Sequence, residues 1–130
     1  GPKIVDVKMM RISEMYLIRA EAKAENNDLV GAAADYNAVR AARITGYVNE
    51  TFANKNDAIA KVLEERQREL CFEGFRYFDL LRRGLEVTRP ASDVQSLSWQ
   101  TLPVSDTRRL FPIPQASILA NPNMVQNPGY

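Results

Sequence analysis

Three glutamates, Glu65, Glu69 and Glu73, recur every fourth residue in "EERQRELCFEGFRYFDLLRRG" (64–84) and are followed by Arg76 and Asp79. Clustered carboxylates can serve as the acid and base that flank a glycosidic bond, but they must then lie on opposite sides of a sugar, roughly 5 to 9 Å apart. Residues four apart on a helix face one way, rotated by only about 40° at each step. Three like charges in a row also weaken an isolated helix. At the margin of an apolar face such groups must be paired, because an unpaired buried carboxylate is costly or becomes protonated. The spacing therefore predicts a structural ion network of Glu65, Glu69, Glu73, Arg76 and Asp79. Its partners would be Arg11 and Arg40, with Arg19 and Arg43, from the preceding helices, and it would fix the irregular C-terminal segment to them.

Composition narrows the chemistry further. Among 130 residues there is no histidine, which removes the usual general base near neutral pH and the usual imidazole metal ligand. The single cysteine, Cys71, cannot form an internal disulfide or a thiolate cage, and its place between Leu70 and Phe72 in a helical run predicts a small packed thiol. Neither a metal nor a cofactor is expected. With 17 Lys plus Arg against 16 Asp plus Glu, no bulk field attracts nucleic acid. "FRYFDLLRRG" has aromatic and arginine content, yet Phe75, Tyr77 and Phe78 fit core or second-interface positions.

The elements that must position these groups are mostly helical. "KMMRISEMYLIRAEAKAEN" (8–26) has strong helix formers and no Gly or Pro; Met9, Ile12, Tyr16, Ala20 and Ala24 share one side, while Met15, Ile18 and Ala22 point elsewhere. More than one apolar side predicts a helix packed between neighbours. Asp28 is placed to cap a second helix through "LVGAAADYNAVRAAR", and the short link makes an antiparallel hairpin of tetratricopeptide type. Residues 44–56 read as a loop. Asn56 or Asp57 then caps a third long helix, whose arc holds Ile59, Val62, Leu63, Leu70, Tyr77, Phe78 and Leu81. Gly74 inside it predicts a kink, a break or a close backbone approach, and Gly84 a C-cap.

Beyond Gly84 lie six of the seven prolines and almost no helical period, so this half is an irregular proline-rich segment wrapping the helices. Leu110, Phe111, Ile113 and Ile118 anchor it, and Pro114 opens one short helical turn through Leu119. Its polar loop "DVQSLSWQTLP" contains Trp99, which can pack down on the core or present its flat face to the C–H patches of a sugar ring; Tyr47, in the earlier loop, is a second ligand candidate of this kind. The size suits a single domain spanning 1–130, and Gly1-Pro2 suggests a cleavage scar at the start of a segment cut from a longer protein. No apolar run approaches the roughly 20 residues a membrane helix needs, which predicts a soluble piece.

Taken in order, "MRISEMYLIRAEAKAENNDLVGAAADYNAVRAAR", "EERQRELCFEGFRYFDLLRRG" and the closing "LFPIPQASILANPNMVQNPGY" strongly resemble the C-terminal region of the SusD/RagB family of outer-membrane nutrient-binding lipoproteins. Arg11, Glu14, Glu21, Glu65, Arg66, Glu69, Leu70, Glu73, Gly74, Arg76, Asp79, Leu80, Arg82, Gly84, Pro114, Gln126, Asn127 and Tyr130 carry the match. The resemblance implies a mainly α-helical fold and a non-catalytic role: capture of a glycan, or in some members a peptide, at the cell surface for delivery to a SusC-type TonB-dependent outer-membrane transporter. It also implies a membrane attachment only through an N-terminal lipid anchor, absent from this chain, since Cys71 is mid-helix. The rival expectation is a helical-repeat scaffold that binds only protein.

Overall fold

The computed structural model describes residues 10–130; the Gly1-Pro2 pair and the Lys8-Met9 start of the expected first helix lie outside them. The chain is mainly helical and divides into two compact units, one ending at Arg76 and one running from Tyr77 to Tyr130.

The first unit is built on α1 (Ile12–Glu25), α2 (Leu29–Ala41) and α3 (Lys55–Glu69). Asp28 caps α2 as expected, its carboxylate accepting from the Gly31 amide at 2.9 Å. A Cβ on Gly31 would fall 2.1 Å from that carboxylate, so the residue must be small for the cap to close. For α3 the capping residue is Asn54, ahead of the expected Asn56 or Asp57, and it accepts from the Asp57 amide at 3.0 Å.

Side-chain pairings fix the directions. Arg19 and Lys23 of α1 meet Asp35 of α2, and Lys23 also donates to the Gly31 carbonyl, so α1 and α2 are antiparallel. Arg40 of α2 and Arg43 just past its end meet Glu65 and Glu69 of α3 in the same order, so those two helices run parallel, and residues 42–54 carry the chain back between them. The buried seam of α1 follows Ser13, Leu17, Ala20 and Ala24. It is one residue out of phase with the expected stripe at its start: Ile12 is exposed and Tyr16 half-buried, while Ser13 and Leu17 are buried in their stead. Against the seam pack Ala32, Ala33, Tyr36 and Val39 of α2, Ala58, Ile59, Val62 and Leu63 of α3, and Phe52 of the returning loop, edge-on to Tyr36.

The third helix does not run through to Gly84. It stops at the buried Leu70, and a turn with Phe72 (φ 64) and Gly74 (φ 82) in left-handed conformations resets the chain before α4 (Phe75–Arg82). The break expected at Gly74 is thus real, and two expectations that assumed continuity fail with it. Cys71 lies exposed in the turn, not packed in a helix, and Phe78 faces outward while Asp79 and Leu80 are buried. Gly84 (φ 62) closes α4, with the Leu85 amide reaching back to the Leu80 carbonyl at 2.9 Å.

The second unit continues through a small antiparallel pair, β1 (Val87–Thr88) and β2 (Thr101–Leu102), short 3-10 turns and α5 (Gln115–Ala120), which Pro114 opens as expected. No helix among the described residues is long and apolar enough to cross a membrane.

Candidate ligand site

The carboxylate stripe resolves into ion pairs within the first unit. Glu65 accepts from Arg40 at 2.6 Å and lies 3.4 Å from Arg68; Glu69 is gripped by both arms of Arg43, at 2.7 and 2.9 Å. Arg11 sits 3.4 Å from Glu69 and 2.9 Å from Glu73, and also donates to the Glu69 carbonyl. The Glu65 and Glu69 side chains are each only 5% exposed. The bidentate bonds from Arg43 hold the Glu69 carboxyl below its ordinary range against the opposing effect of burial. These partners staple α3 to α1 and α2, a role the sequence reading had given to fastening the proline-rich segment. Arg76 donates to the Leu63 carbonyl at 3.4 Å, and Asp79 pairs with Arg82 on its own helix at 2.9 Å.

Asp35 completes the same pattern and was missed in the sequence. Mid-helix and buried, it takes two hydrogen bonds from Arg19 at 2.7 and 2.8 Å and an ion pair from Lys23 at 2.9 Å. Its carboxyl is held low chiefly by the Arg19 bonds.

Tyr47 is similarly consumed by structure. Its hydroxyl donates to Asn37 Oδ1 at 2.6 Å, and the Arg40 guanidinium lies 5.2 Å from its ring centroid. Asn37 in turn pairs with both backbone groups of Glu50, at 2.9 and 3.0 Å, and so straps the returning loop to α2. Tyr47 therefore serves that strap.

Trp99 is placed differently. β1 and β2 pair Val87 with Leu102 and Thr88 with Thr101, and the ladder extends to the Arg89 amide donating to the Gln100 carbonyl at 2.9 Å. Alternation along each strand puts Val87, Leu102, Arg89 and Gln100 on one face. The excursion between the strands ends in the 3-10 turn Leu97–Trp99, where the Trp99 amide donates to Ser96 O at 2.9 Å and that of Gln100 to Leu97 O at 3.1 Å. The Trp99 backbone is thereby fixed while its side chain stays open, with 60% of the residue exposed.

Around this face is a cavity of about 370 Å³ lined by Tyr77, Val87, Arg89, Trp99, Gln100, Leu102 and Arg108, with Ser98 and Thr101. Tyr77 forms a rigid wall, since its hydroxyl donates to the Arg109 carbonyl at 2.7 Å and its ring packs on Phe111, with centroids 5.8 Å apart. Arg108 is folded onto Asp106, which caps the turn Thr107–Arg109 through the Arg108 amide at 2.8 Å and receives the guanidinium at 2.6 to 3.2 Å. Those bonds pull the Asp106 carboxyl down to about 2. An apolar floor, an open indole and several hydrogen-bonding heads are the ingredients of a small-molecule site. Of its residues the sequence had singled out Trp99 alone as a ligand candidate; Arg89 and Gln100 join it through the strand register, and Arg108 through the turn that Asp106 caps. Among the described residues, no group of three or more acidic or cysteine side chains is arranged to hold a metal ion.

The first unit is a helical hairpin with a third helix packed on it, and the open cavity belongs to the irregular second unit, a mainly helical class of fold. Residues 4–130 match the SusD family model, and the chain belongs to that family. It is 32% identical over 127 residues to the starch-binding protein SusD of Bacteroides thetaiotaomicron, an alignment covering 96% of this chain and 22% of that protein. A SusD-like protein of Formosa agariphila is 27% identical over all of this chain and 26% of its own length. Among solved structures, a SusD superfamily protein of Bacteroides thetaiotaomicron superposes with a TM-score of 0.80 at 34% identity, over 92% of this chain and 27% of that one. The chain thus spans about a quarter of the length of the relatives it matches.

Proposed function

We propose that this chain is the C-terminal part of a non-catalytic glycan-binding protein, facing outward at the cell outer membrane, that captures polysaccharide or oligosaccharide and delivers it to a SusC-type TonB-dependent transporter. Family membership and the starch-binding relative support the ligand class. The observation that carries the reading is the Trp99 cavity, whose lining combines an exposed indole with Val87, Leu102 and several hydrogen-bonding side chains. A non-catalytic role is supported by the fate of the glutamate stripe, whose carboxylates are held by arginines on one side of α3.

Because Trp99 is the sole tryptophan, its fluorescence reports on the cavity directly. Titration with a panel of oligosaccharides is expected to shift that emission, and Trp99→Ala is expected to weaken binding by about tenfold or more, measured calorimetrically. Silence across the panel, with calorimetry showing no heat, overturns the reading.

One observation favours the rival, a scaffold binding only protein: Ile12, Met15 and Ile18 leave an apolar strip exposed on the outer side of α1. Association with a transporter that persists in Trp99→Ala, together with glycan silence, would select it.

A further inference from the structure

The donors and acceptors around the Trp99 cavity are out of balance in a direction that bears on the ligand. A neutral sugar offers hydroxyls, each of which donates as well as accepts, so a site for one needs acceptors among its heads. Here the lining contains two guanidinium groups, Arg89 and Arg108, which only donate, and no carboxylate. The nearby acid, Asp106, has both oxygens engaged by Arg108. That pair cancels one charge and fixes the Arg108 head at the rim. Arg89 is left over. It lies on the exposed hairpin face beside Gln100, and its guanidinium has no hydrogen-bond or ion-pair partner among the described residues.

An unmatched guanidinium lining the same cavity as an open indole presents a planar fork of donors whose geometry matches a carboxylate or sulfate ester. Resting on the glycan-binding reading above, we propose that the Trp99 cavity selects an anionic sugar, with the indole stacking on the ring and Arg89 receiving its carboxylate or sulfate. Gln100 and Ser98 then serve the neutral hydroxyls, and affinity falls as salt is raised.

The test compares three ligands on the intact chain by calorimetry and Trp99 fluorescence: a uronic-acid trisaccharide, the same trisaccharide with every carboxylate reduced to the alcohol, and a sulfate-ester trisaccharide. At least one acidic ligand is expected to bind about tenfold more tightly than the reduced one, and the stronger of the two names the anionic group. Arg89→Gln is expected to abolish that preference, so that acidic and reduced trisaccharides bind the variant within about twofold of each other, and Arg89→Lys to retain part of it. Because Arg89 is exposed, neither substitution threatens folding. Equal binding of acidic and reduced ligands overturns the anionic selectivity and leaves glycan binding standing. A preference that survives Arg89→Gln overturns the role of Arg89. Absence of binding to all three, and to the wider panel, overturns both readings together.

Discussion

The two units of the chain solve the same problem, holding a backbone in place, by opposite means. In the first, side chains from three helices close on a core in which Leu17, Ala20, Ala24, Ala58 and Val62 are wholly buried, and ion pairs rim it. In the second, apolar burial is sparse and the chain is held by side chains bonding to backbone. Gln126 accepts from the Ile113 amide at 2.8 Å and donates to the Ile113 carbonyl at 3.0 Å; Asn127 donates to the Phe111 carbonyl at 2.7 Å and the Tyr130 hydroxyl to Leu110 O at 2.9 Å. The reason lies in "LFPIP": Pro112 and Pro114 have no N–H, so this stretch cannot form a continuous strand ladder, and amides from "QNPGY" replace the missing partner. The contrast teaches that the closing motif is a set of clamps, and that the second unit can keep side chains such as Trp99 open because its order does not depend on burying them.

The sharpest way to break the comparison is to empty the first core. Leu17→Ala removes a side chain with 0% exposure at the centre of the α1 seam, and should cost about 2 to 5 kcal/mol, read by chemical denaturation. If the core and the clamps are separate devices, protection of the Ile113 amide against hydrogen exchange falls only as far as global unfolding requires.

The converse change is Gln126→Ala, which leaves the buried seam of the first unit untouched. It strips the partners from both backbone groups of Ile113 and from the Asn127 amide, for about 1 to 3 kcal/mol, and the loss should appear first as accelerated exchange at Ile113 and Asn127. Uniform acceleration through α1 to α3 would show instead that the clamps hold more than their own segment.

This contrast also decides what was legible in the sequence. Helical period and caps gave α1, α2 and the start of α3 to within a few residues, since Leu, Ala and Glu at those spacings have little else to do. Gly74 marked the break, but neither that α3 already stops at Glu69 nor that helix phase resets after the turn could be read, and so Cys71 and Phe78 were misplaced. The amide clamps were invisible for a different reason. Asn37 meets Glu50 and Gln126 meets Ile113 across gaps of thirteen residues without any period, and a carboxamide in isolation does not say which backbone it will serve. The same limit hid the cavity: Trp99 stands out as a tryptophan in a polar loop, whereas Arg89 and Arg108 acquire meaning only once strand register and the Asp106 cap bring them beside it.

Acid offers a finer separation of the two units. Asp35 and Glu69 in the first unit have carboxyls held below their ordinary values of 3.8 and 4.5 by arginine hydrogen bonds, so their pairs stabilise the fold fully above those values. That contribution is lost as pH falls through the lowered folded values. Asp106 in the second unit follows the same sign, but its window extends from 3.8 down to about 2. Melting temperature should therefore decline once pH drops below about 4, and the decline should be shallower in Asp35→Asn, which has no proton to take up on that side chain. The cavity reports separately. With Arg108 still locked on Asp106 until pH nears 2, Trp99 emission should stay unchanged through the first part of that decline. Emission that moved together with the melting temperature at pH 4 would mean that the hairpin face depends on the helical core, and the division between packed and clamped halves would fail.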